Sequence, residues 1–297
     1  MCFETEVSKI ENLKVLRNVS LKNYCGYGVG GNVNYFFIPN TITALIFGLK
    51  ICDTYNIPFF LLGNGTNLLF SDKGFNGAVI YTAKLNDIVI KNDILQAECG
   101  ANLNAVINSC IHNGLGGLEK LAGIPATVGG AITMNASAFG VNISDYLQDV
   151  TALVDGKEQN FTKKECNFGY RNSIFLKNDI AILSARFKLR KENPFDLDIT
   201  RKECLSVRGA IQPKARSCGS VFRNTKVYSA GKLIDEAGLK GLTVGGAQIS
   251  NIHANFIITK DNATALDVYL LIEKVKETIK RVYNIELKEE IQKIGDF

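Results

Sequence analysis

Two glycine-rich segments of the sequence have the composition of loops that bind a phosphate group. Residues 63–69 read GNGTNLL, and residues 123–131 read GIPATVGGA. Gly63 and Gly65 permit positive φ and close approach by a ligand, and consecutive backbone N–H groups form a concave anion site. Either segment alone is also compatible with a tight turn and close packing. Because both follow apolar runs, we predict that the two loops together cradle a diphosphate.

Other residues of the two loops add to this prediction. Thr66 and Asn67 supply further donors, and Pro125 fixes the turn of the second loop. Thr127 is suited to cap a helix whose N–H groups face the phosphate. The small residues 129–131 leave room on that helix for a flat or bulky group.

A third glycine pattern carries a different meaning. Gly26, Gly28 and Gly31 match G-x-G-x-x-G, but residues 32–39 read as a strand ended by proline. A dinucleotide-binding fingerprint requires a helix at that point. We therefore interpret this segment as a glycine-rich turn between strands.

The elements that must position these loops indicate an α+β fold. The chain has 297 residues, of which 46% are hydrophobic, so it can form packed cores in two or three domains. Periodicity predicts helices over 42–55, 103–112, 198–208 and 263–283, the last capped by Asp261 or Asn262. Alternation and apolar runs predict strands over 58–62, 78–81, 87–90, 94–99, 149–154, 181–189, 255–259 and 285–291. A polar stretch ending at Pro194 suggests a domain boundary at 191–194.

Charge and cysteine content exclude several classes of protein. The net charge of +5 is spread along the chain without a basic block, so we expect no nucleic-acid partner. The longest uncharged stretch, 121–144, is broken by Pro125 and several glycines, so we expect no membrane insertion. Residues 1–20 lack the pattern of a signal peptide. The eight cysteines contain no C-x-x-C pair, and with only two histidines we expect buried, reduced thiols, no metal site and a cytoplasmic location.

Six motifs in a fixed order resemble those of one enzyme family. They are G-x-G-S-N-L-L at 63–69, with Thr66 for Ser; G-L-E-x-x-x-G-I-P-G-T-V-G-G-A-x-x-M-N-A at 117–136, with Ala126 for Gly; Y-R-x-S at 170–173; G-S-x-F-x-N at 219–224; H-A-N-F at 253–256; and L-x-x-E-V at 287–291, with Ile291 last. Over residues 21–295 the sequence resembles the UDP-N-acetylenolpyruvoylglucosamine reductase family. Thr225, Ser137 and Thr259 depart from its common Pro, Gly and Asn. No loop with a substrate-clamping tyrosine is evident, so the sequence resembles the shorter subtype.

The resemblance implies an FAD-binding fold of the vanillyl-alcohol-oxidase type. Its two subdomains would span 1–81 and 82–190, the second joined by the returning strand 285–297, with a substrate-binding domain over 191–284. FAD would be held non-covalently, because no histidine or cysteine other than Cys25 lies at an obvious tethering position near the first loop. The residues implied to bind it are Gly63, Asn64, Gly65, Thr66, Asn67, Leu68, Gly123, Ile124, Pro125, Thr127, Val128, Gly129, Gly130 and Asn135.

The reaction implied by the resemblance belongs to peptidoglycan synthesis and has two hydride transfers. NADPH would reduce FAD and leave, and the enolpyruvyl ether of UDP-N-acetylglucosamine would then be reduced to UDP-N-acetylmuramate. We expect a monomeric enzyme whose partners are these small molecules. Two other hypotheses are a flavin oxidase or dehydrogenase acting on another alcohol or sugar, and a nucleotide-sugar-binding protein without activity.

Three residues fall on the catalytic positions of the family: Arg171, Ser220 and Glu290. The fork of Arg171 suits the carboxylate of an enolate, and Ser220 would protonate its α-carbon. Glu290 must be protonated or tightly paired beside that charge. Without the family, Arg171 could form a surface ion pair, Ser220 a turn, and Glu290 part of a solvated strand beside Glu289.

Further residues fall near the substrate in the family pattern. They are Tyr170, Asn224 and His253. Among the basic residues Arg208, Lys214 and Arg216, we choose Arg208 to neutralise the UDP diphosphate, although all three could form a solvated face. We expect His112 to be structural.

Overall fold

The computed structural model describes residues 3–176, 180–225 and 227–297. Its α-helices are α1 (Phe3–Val7), α2 (Ile42–Thr54), α3 (Leu103–His112), α4 (Val128–Thr133), α5 (Pro194–Ile211), α6 (Ala230–Glu236) and α7 (Ala265–Tyr283). Its strands are β1 (Leu13–Ser20), β2 (Asn32–Pro39), β3 (Phe59–Leu62), β4 (Leu68–Phe70), β5 (Phe75–Tyr81), β6 (Ile88–Lys91), β7 (Ile94–Glu98), β8 (Leu115–Gly116), β9 (Ser137–Ala138), β10 (Val141–Asn142), β11 (Leu147–Val154), β12 (Lys157–Thr162), β13 (Ile180–Lys188), β14 (Arg190–Lys191), β15 (Thr243–Val244), β16 (Ala247–Ile249), β17 (Ile257–Thr259) and β18 (Gln292–Ile294).

The strands pair into sheets of two to five members. The orders are β1-β2-β5-β3, β12-β11-β13-β7-β6 and β15-β16-β17, with the pairs β9-β10, β8-β14 and β4-β18. The described chain forms two compact units. The first comprises residues up to 17, 35–64 and 77–208, and the second comprises 18–34, 65–76 and 209–297. The change of unit at 208 falls inside α5, later in the chain than the boundary expected near Pro194.

The five-stranded antiparallel sheet of the first unit packs in a large apolar core. Strand β13 pairs with both β11 and β7, and its residues Ala185 and Phe187 are almost fully buried. Helix α3 adds Val106, Ile107 and Cys110 to the same core. The 3.6-residue period of α3 explains this, because its apolar side chains lie on one face.

The second unit builds a smaller core around α7. Val268, Leu271 and Ile272 of this helix are fully buried. The antiparallel strands β15, β16 and β17 belong to the same unit, and β18 pairs in parallel with β4. The C-terminal strand thus hydrogen-bonds with the residues that follow the first glycine loop.

The structure confirms most of the predicted elements and corrects two of them. Helix α3 has the predicted bounds, and α2 and α7 differ from theirs by one or two residues. The cap of α7 is neither Asp261 nor Asn262 but Thr264. The predicted strand over 285–291 is also wrong, because the strand lies at Gln292–Ile294, where β4 supplies its partner.

No helix of the described ranges combines the length and apolar character needed to cross a bilayer.

Replacing Thr264 by alanine should destabilise the second unit. Thr264 Oγ1 accepts from the N–H of Asp267 at 3.1 Å, and the Asp267 carboxylate accepts from the N–H of Thr264 at 3.0 Å. Loss of such a cap costs about 1 kcal/mol, so we expect a lower urea midpoint of unfolding. Asn262→Ala, at the cap predicted from sequence, is the matched control and should leave the midpoint unchanged. Equal shifts for the two variants would contradict this cap assignment.

Candidate active site

The two glycine loops contact each other inside the first unit. A Cβ on Gly63 would lie 2.5 Å from Thr127 Oγ1, so residue 63 must lack a side chain for this contact to form. The Asn64 amide donates to the carbonyl of Pro125 at 3.1 Å. Gly63 therefore serves close packing, and of the two glycines predicted to allow positive φ only Gly65 adopts it, at +64°.

Helix α4 begins at the predicted cap, but its first two N–H groups donate to carbonyls of the protein itself. Thr127 Oγ1 accepts from the N–H of Gly130 at 3.2 Å. The N–H groups of Val128 and Gly129 donate to the carbonyls of Ala101 and Cys99, at 2.8 and 2.7 Å. The prediction that these N–H groups face a phosphate is therefore wrong, because carbonyls of the segment before α3 already accept hydrogen bonds from them.

The small residues of α4 have different surroundings. A Cβ on Gly129 would lie 3.0 Å from the carbonyl oxygen of Cys99, so this glycine allows the helix to pack closely. Gly130 is exposed, and among the described residues the nearest contact of a Cβ at this position would be Thr127 Oγ1, at 3.4 Å. The exposed side at Gly130 thus has the space for a group to pack on the helix, as predicted.

The second part of the first loop, from Gly65, belongs to the second unit. A Cβ on Gly65 would overlap the carbonyl oxygen of Tyr24, and the Gly65 carbonyl accepts from Gly26 N–H at 2.9 Å. The Asn67 side-chain amide donates to the backbone carbonyl of Glu290 at 3.2 Å. These contacts hold the loop against the segment that carries a predicted catalytic carboxylate.

Two buried thiols lie behind this part of the loop. Cys25 Sγ and Cys218 Sγ lie 3.3 and 3.2 Å from the carbonyl oxygen of Leu68. Burial raises the pKa of Cys218 well above its usual value, and a hydrogen bond with Cys218 lowers the pKa of Cys25. The described cysteines are buried and unbridged as predicted, and Cys2 lies outside the described residues.

Arg171 occupies a strained turn in the first unit. Gly169 and Asn172 pair through two backbone hydrogen bonds, which places Tyr170 and Arg171 at the tip. Arg171 has φ +52°, a left-handed value that is unfavourable for a residue with a Cβ. Its guanidinium lies 5.6 Å from the centre of the Tyr170 ring, which is 54% exposed.

Arg208 lies near Arg171 and beside the second glycine loop. Its Cδ is 2.8 Å from where a Cβ on Gly123 would stand, and its guanidinium lies 5.5 Å from the Phe139 ring centre. Burial, together with the charge of Arg171, lowers the pKa of Arg208. Its Nε is buried without a hydrogen-bond partner among the described residues. Two neighbouring guanidinium groups create a positive region suited to an anion.

Ser220 lies on a short stretch of backbone pairing in the second unit. It forms a β-bridge with Phe256, and the next residue, Val221, binds two segments. Val221 N–H donates to the Asn255 carbonyl at 2.8 Å, and the Val221 carbonyl accepts from Glu290 N–H at 2.7 Å. The structure therefore brings the segments of the predicted alcohol and the predicted carboxylate together.

The lysines of the second unit distinguish Glu290 from its neighbour. The carboxylate of Glu289 accepts from Lys276 and Lys293, at 3.0 and 3.1 Å, and its side chain is only 14% exposed. Two lysines thus form ion pairs with Glu289: Lys276 on α7 and Lys293 on β18. These ion pairs favour Glu290 over Glu289 as the ligand-binding residue, which is the choice that the L-x-x-E-V motif predicts.

His253 and Asn224 have local structural partners. His253 Nδ1 accepts from Asn255 N–H at 3.2 Å, and burial lowers the pKa of this imidazole. A neutral ring that accepts at Nδ1 carries its proton on Nε2, which is then a donor. The Asn224 Oδ1 accepts from the N–H of Ala230 at the start of α6, at 3.0 Å.

Two residues that hold predicted site residues in place were not predicted from the sequence, Ser137 in the first unit and Asn255 in the second. Ser137 Oγ accepts from Arg171 Nη1 at 2.8 Å. Asn255 Oδ1 accepts from Phe222 N–H at 2.9 Å while its amide donates to the Phe222 carbonyl at 2.8 Å. The position of Asn255 within the H-A-N-F motif is a sequence signal that could have indicated this role. The basic Arg216, in contrast, pairs with Asp261 at 3.3 Å.

Two family models match parts of the chain. The family model described as "FAD binding domain" matches residues 33–159, and the model for the C-terminal domain of UDP-N-acetylenolpyruvoylglucosamine reductase matches residues 212–294. The α+β fold with its FAD-binding region is therefore confirmed, and the two models together define a flavin-dependent oxidoreductase.

Curated relatives with that reductase name align over nearly the whole chain. The protein from Clostridium novyi is 38% identical over 291 residues, which are 97% of this chain and 95% of the relative. The protein from Clostridium tetani is 39% identical over 292 residues, with the same coverage of 97% and 95%. The crystal structure of the reductase from Thermus caldophilus is 34% identical, with a TM-score of 0.84, covering 95% of this chain and 100% of the other. The chain belongs to the UDP-N-acetylenolpyruvoylglucosamine reductase family.

Adding a methyl group at Gly63 should weaken FAD binding. The Cβ of Gly63→Ala would push against Thr127 Oγ1, and such overpacking costs about 1–3 kcal/mol. We expect a lower ratio of flavin to protein absorbance in the purified variant, together with a lower melting temperature. Gly209→Ala, where nothing lies within 4 Å of the added carbon, is the control. Full flavin content in Gly63→Ala would show that the loop contact does not shape the cofactor site.

His253 should make stability depend on pH. Because burial lowers its pKa in the folded protein, the unfolded chain takes up the proton first. The free energy of unfolding should therefore fall as the pH drops below about 6.5, the ordinary value for imidazole. Urea midpoints at about pH 7.5 and 5.5 should differ less in His253→Gln than in the parent protein. The exposed His112, replaced by Gln, is the control; an equal effect there would contradict the assignment.

Proposed function

We propose that the chain reduces the enolpyruvyl ether of UDP-N-acetylglucosamine to UDP-N-acetylmuramate, with NADPH as hydride donor, in peptidoglycan synthesis. Family membership supports this substrate. The observation that carries the proposal is the pairing around Val221, which holds the segments of Ser220 and Glu290 side by side. We further propose a monomeric cytoplasmic enzyme, with FAD-binding subdomains over 1–81 and 82–190 and a substrate domain over 191–284. The returning C-terminal strand joins the first of these subdomains, at β4, and not the second as expected from the sequence.

The two glycine loops fit the cofactor in this proposal. Gly63 and Asn64 contact the second loop, and exposed Gly130 has room beside it. Because protein carbonyls accept from the first amides of α4 and from the side-chain amides of Asn64 and Asn67, we assign the diphosphate to the backbone amides of 64–67. A bound FAD would supply hydride acceptance from NADPH and hydride donation to the methylene carbon of the substrate.

Arg171 is proposed to bind the substrate carboxylate. Reduction of the methylene carbon moves negative charge toward that carboxylate, as an enolate. A guanidinium already oriented by the protein stabilises this charge more than the ground state, and removal of one such donor typically raises the barrier by about 3–4 kcal/mol. The turn at 169–172 and the contact with Ser137 support this role, since they restrict the side chain before substrate binds.

Ser220 is proposed to donate the proton that completes the reduction. The α-carbon of an enolate is basic enough to take a proton from a neutral alcohol, so correct placement is sufficient. Gly219 has φ +73° and nothing within 4 Å of its Cβ position, which leaves space for substrate beside the serine. The bridge to Phe256 holds the Ser220 backbone in place.

Glu290 is proposed to contact the substrate carboxylate as a protonated or tightly paired group. An ionised carboxylate would repel the developing enolate, so its proton or its partner must offset that charge. Its backbone is held by Val221 and Asn67, and Glu289 is engaged by two lysines.

Four further residues are proposed to bind the substrate. Arg208 offers a cation for the diphosphate, and the exposed Tyr170 ring offers a polar, flat surface. His253 would donate from Nε2, because its Nδ1 already accepts a hydrogen bond. Asn224 precedes α6, and its side-chain Oδ1 accepts a hydrogen bond from the N–H of Ala230, the first residue of that helix.

Replacing Ser220 by alanine should slow reduction of the substrate and leave reduction of the flavin by NADPH unchanged. Anaerobic bleaching of the flavin by NADPH should keep its rate, whereas reoxidation by the enolpyruvyl nucleotide should slow by about 10²–10⁴-fold, the usual contribution of a positioned proton donor. Stopped-flow absorbance measures both steps.

Ser229→Ala makes the same chemical change in the same unit, at a cap whose side chain makes no capping bond, and should affect neither step. Equal slowing of the two steps in Ser220→Ala would refute the proton-donor role. If the flavin of the parent protein is bleached by a simple alcohol and not by NADPH, the protein is an oxidase or dehydrogenase of another substrate.

A further inference from the structure

The turn that carries Arg171 is tied to the hairpin that follows α4. The side-chain amide of Asn135 donates to the carbonyl of Gly169, the first residue of the turn, at 3.0 Å. Asn135 is 7% exposed and has φ +44°, so it lies at a sharp bend between α4 and β9. This contact fixes the backbone from which Arg171 projects, but it does not reach the guanidinium.

Ser137 reaches the guanidinium from the same hairpin. It lies on β9, whose register with β10 pairs Ser137 with Asn142 and Ala138 with Val141. Its Oγ accepts from Arg171 Nη1 at 2.8 Å, the length of a good hydrogen bond. A short paired strand holds the hydroxyl, because the serine backbone cannot move without breaking the β9–β10 pairing.

We propose that Ser137 is a positioning residue: its hydroxyl fixes the plane of the Arg171 guanidinium so that the cation meets the substrate carboxylate in one orientation. This inference rests on the proposed function of Arg171. A long arginine side chain loses rotamer freedom when it binds a ligand, and prior ordering reduces that loss.

A hydroxyl is chemically suited to this task. A carboxylate in the place of Ser137 would orient the guanidinium but would also cancel much of its charge. The serine oxygen accepts a hydrogen bond and stays neutral, so the positive charge needed for an enolate is kept. The effect of Ser137 should therefore appear on ligands with the lactyl carboxylate and not on the rest of the nucleotide.

Calorimetric titration of the FAD-loaded protein with two nucleotides tests this inference. UDP-N-acetylmuramate carries the carboxylate, and UDP-N-acetylglucosamine lacks it. For Ser137→Ala we expect the dissociation constant of the first to rise about 3–10-fold, the usual effect of one lost hydrogen bond, with that of the second unchanged. Ser137→Thr keeps the hydroxyl and suits a strand, so it should restore the parent value.

Kinetics provide a second readout. In Ser137→Ala, substrate-driven reoxidation should slow while flavin reduction by NADPH keeps its rate. Thr133→Ala, whose hydroxyl bonds within α4 to the Gly129 carbonyl, is the matched control and should change neither measurement.

The possible outcomes separate this inference from the function on which it rests. If the parent protein does not bind UDP-N-acetylmuramate, the proposed function fails. If it binds that nucleotide and Ser137→Ala binds it equally well, or loses both nucleotides to the same extent, the positioning role of Ser137 is overturned.

Discussion

The cofactor-binding part of the first unit depends on the absence of a side chain at residue 63. Gly63 lies against Thr127, and this contact brings one glycine loop to the start of α4. Thr127 performs two tasks at that point, because it also caps the helix that carries Gly130. A single methyl group at residue 63 would therefore disturb both the cap and the spacing of the loops.

In the second unit, backbone hydrogen bonds hold together the segments that carry the predicted catalytic residues. Val221 binds the 253–256 segment through its N–H and the Glu290 segment through its carbonyl. The side chain of Asn255 adds two bonds to Phe222, in place of a neighbouring strand. As a result, the segments that carry Ser220, His253 and Glu290 cannot shift independently, and this fixed spacing is what the proposed proton transfer requires.

Hydrogen bonds around the 169–172 turn offset the backbone strain at Arg171. A left-handed backbone costs about 1–2 kcal/mol for a residue with a Cβ. The paired ends of the turn, the Asn135 amide and the Ser137 hydroxyl together offset this cost within the first unit. Such strain is common where a protein holds a functional group in a single orientation.

The sequence by itself determined the helices with strong periodicity, the two glycine loops and the family, because each of these leaves a local pattern of residue types. Helix α3 and the Thr127 cap follow from spacing alone. The tertiary structure decided which polar groups form hydrogen bonds within the protein and so cannot bind a ligand. The first amides of α4 donate to the carbonyls of Cys99 and Ala101. The C-terminal strand forms at 292–294, where it pairs with β4, and the Ser137 hydroxyl accepts a hydrogen bond from Arg171. The physical reason is that these hydrogen bonds join residues distant in sequence, and their partners depend on how the whole chain packs.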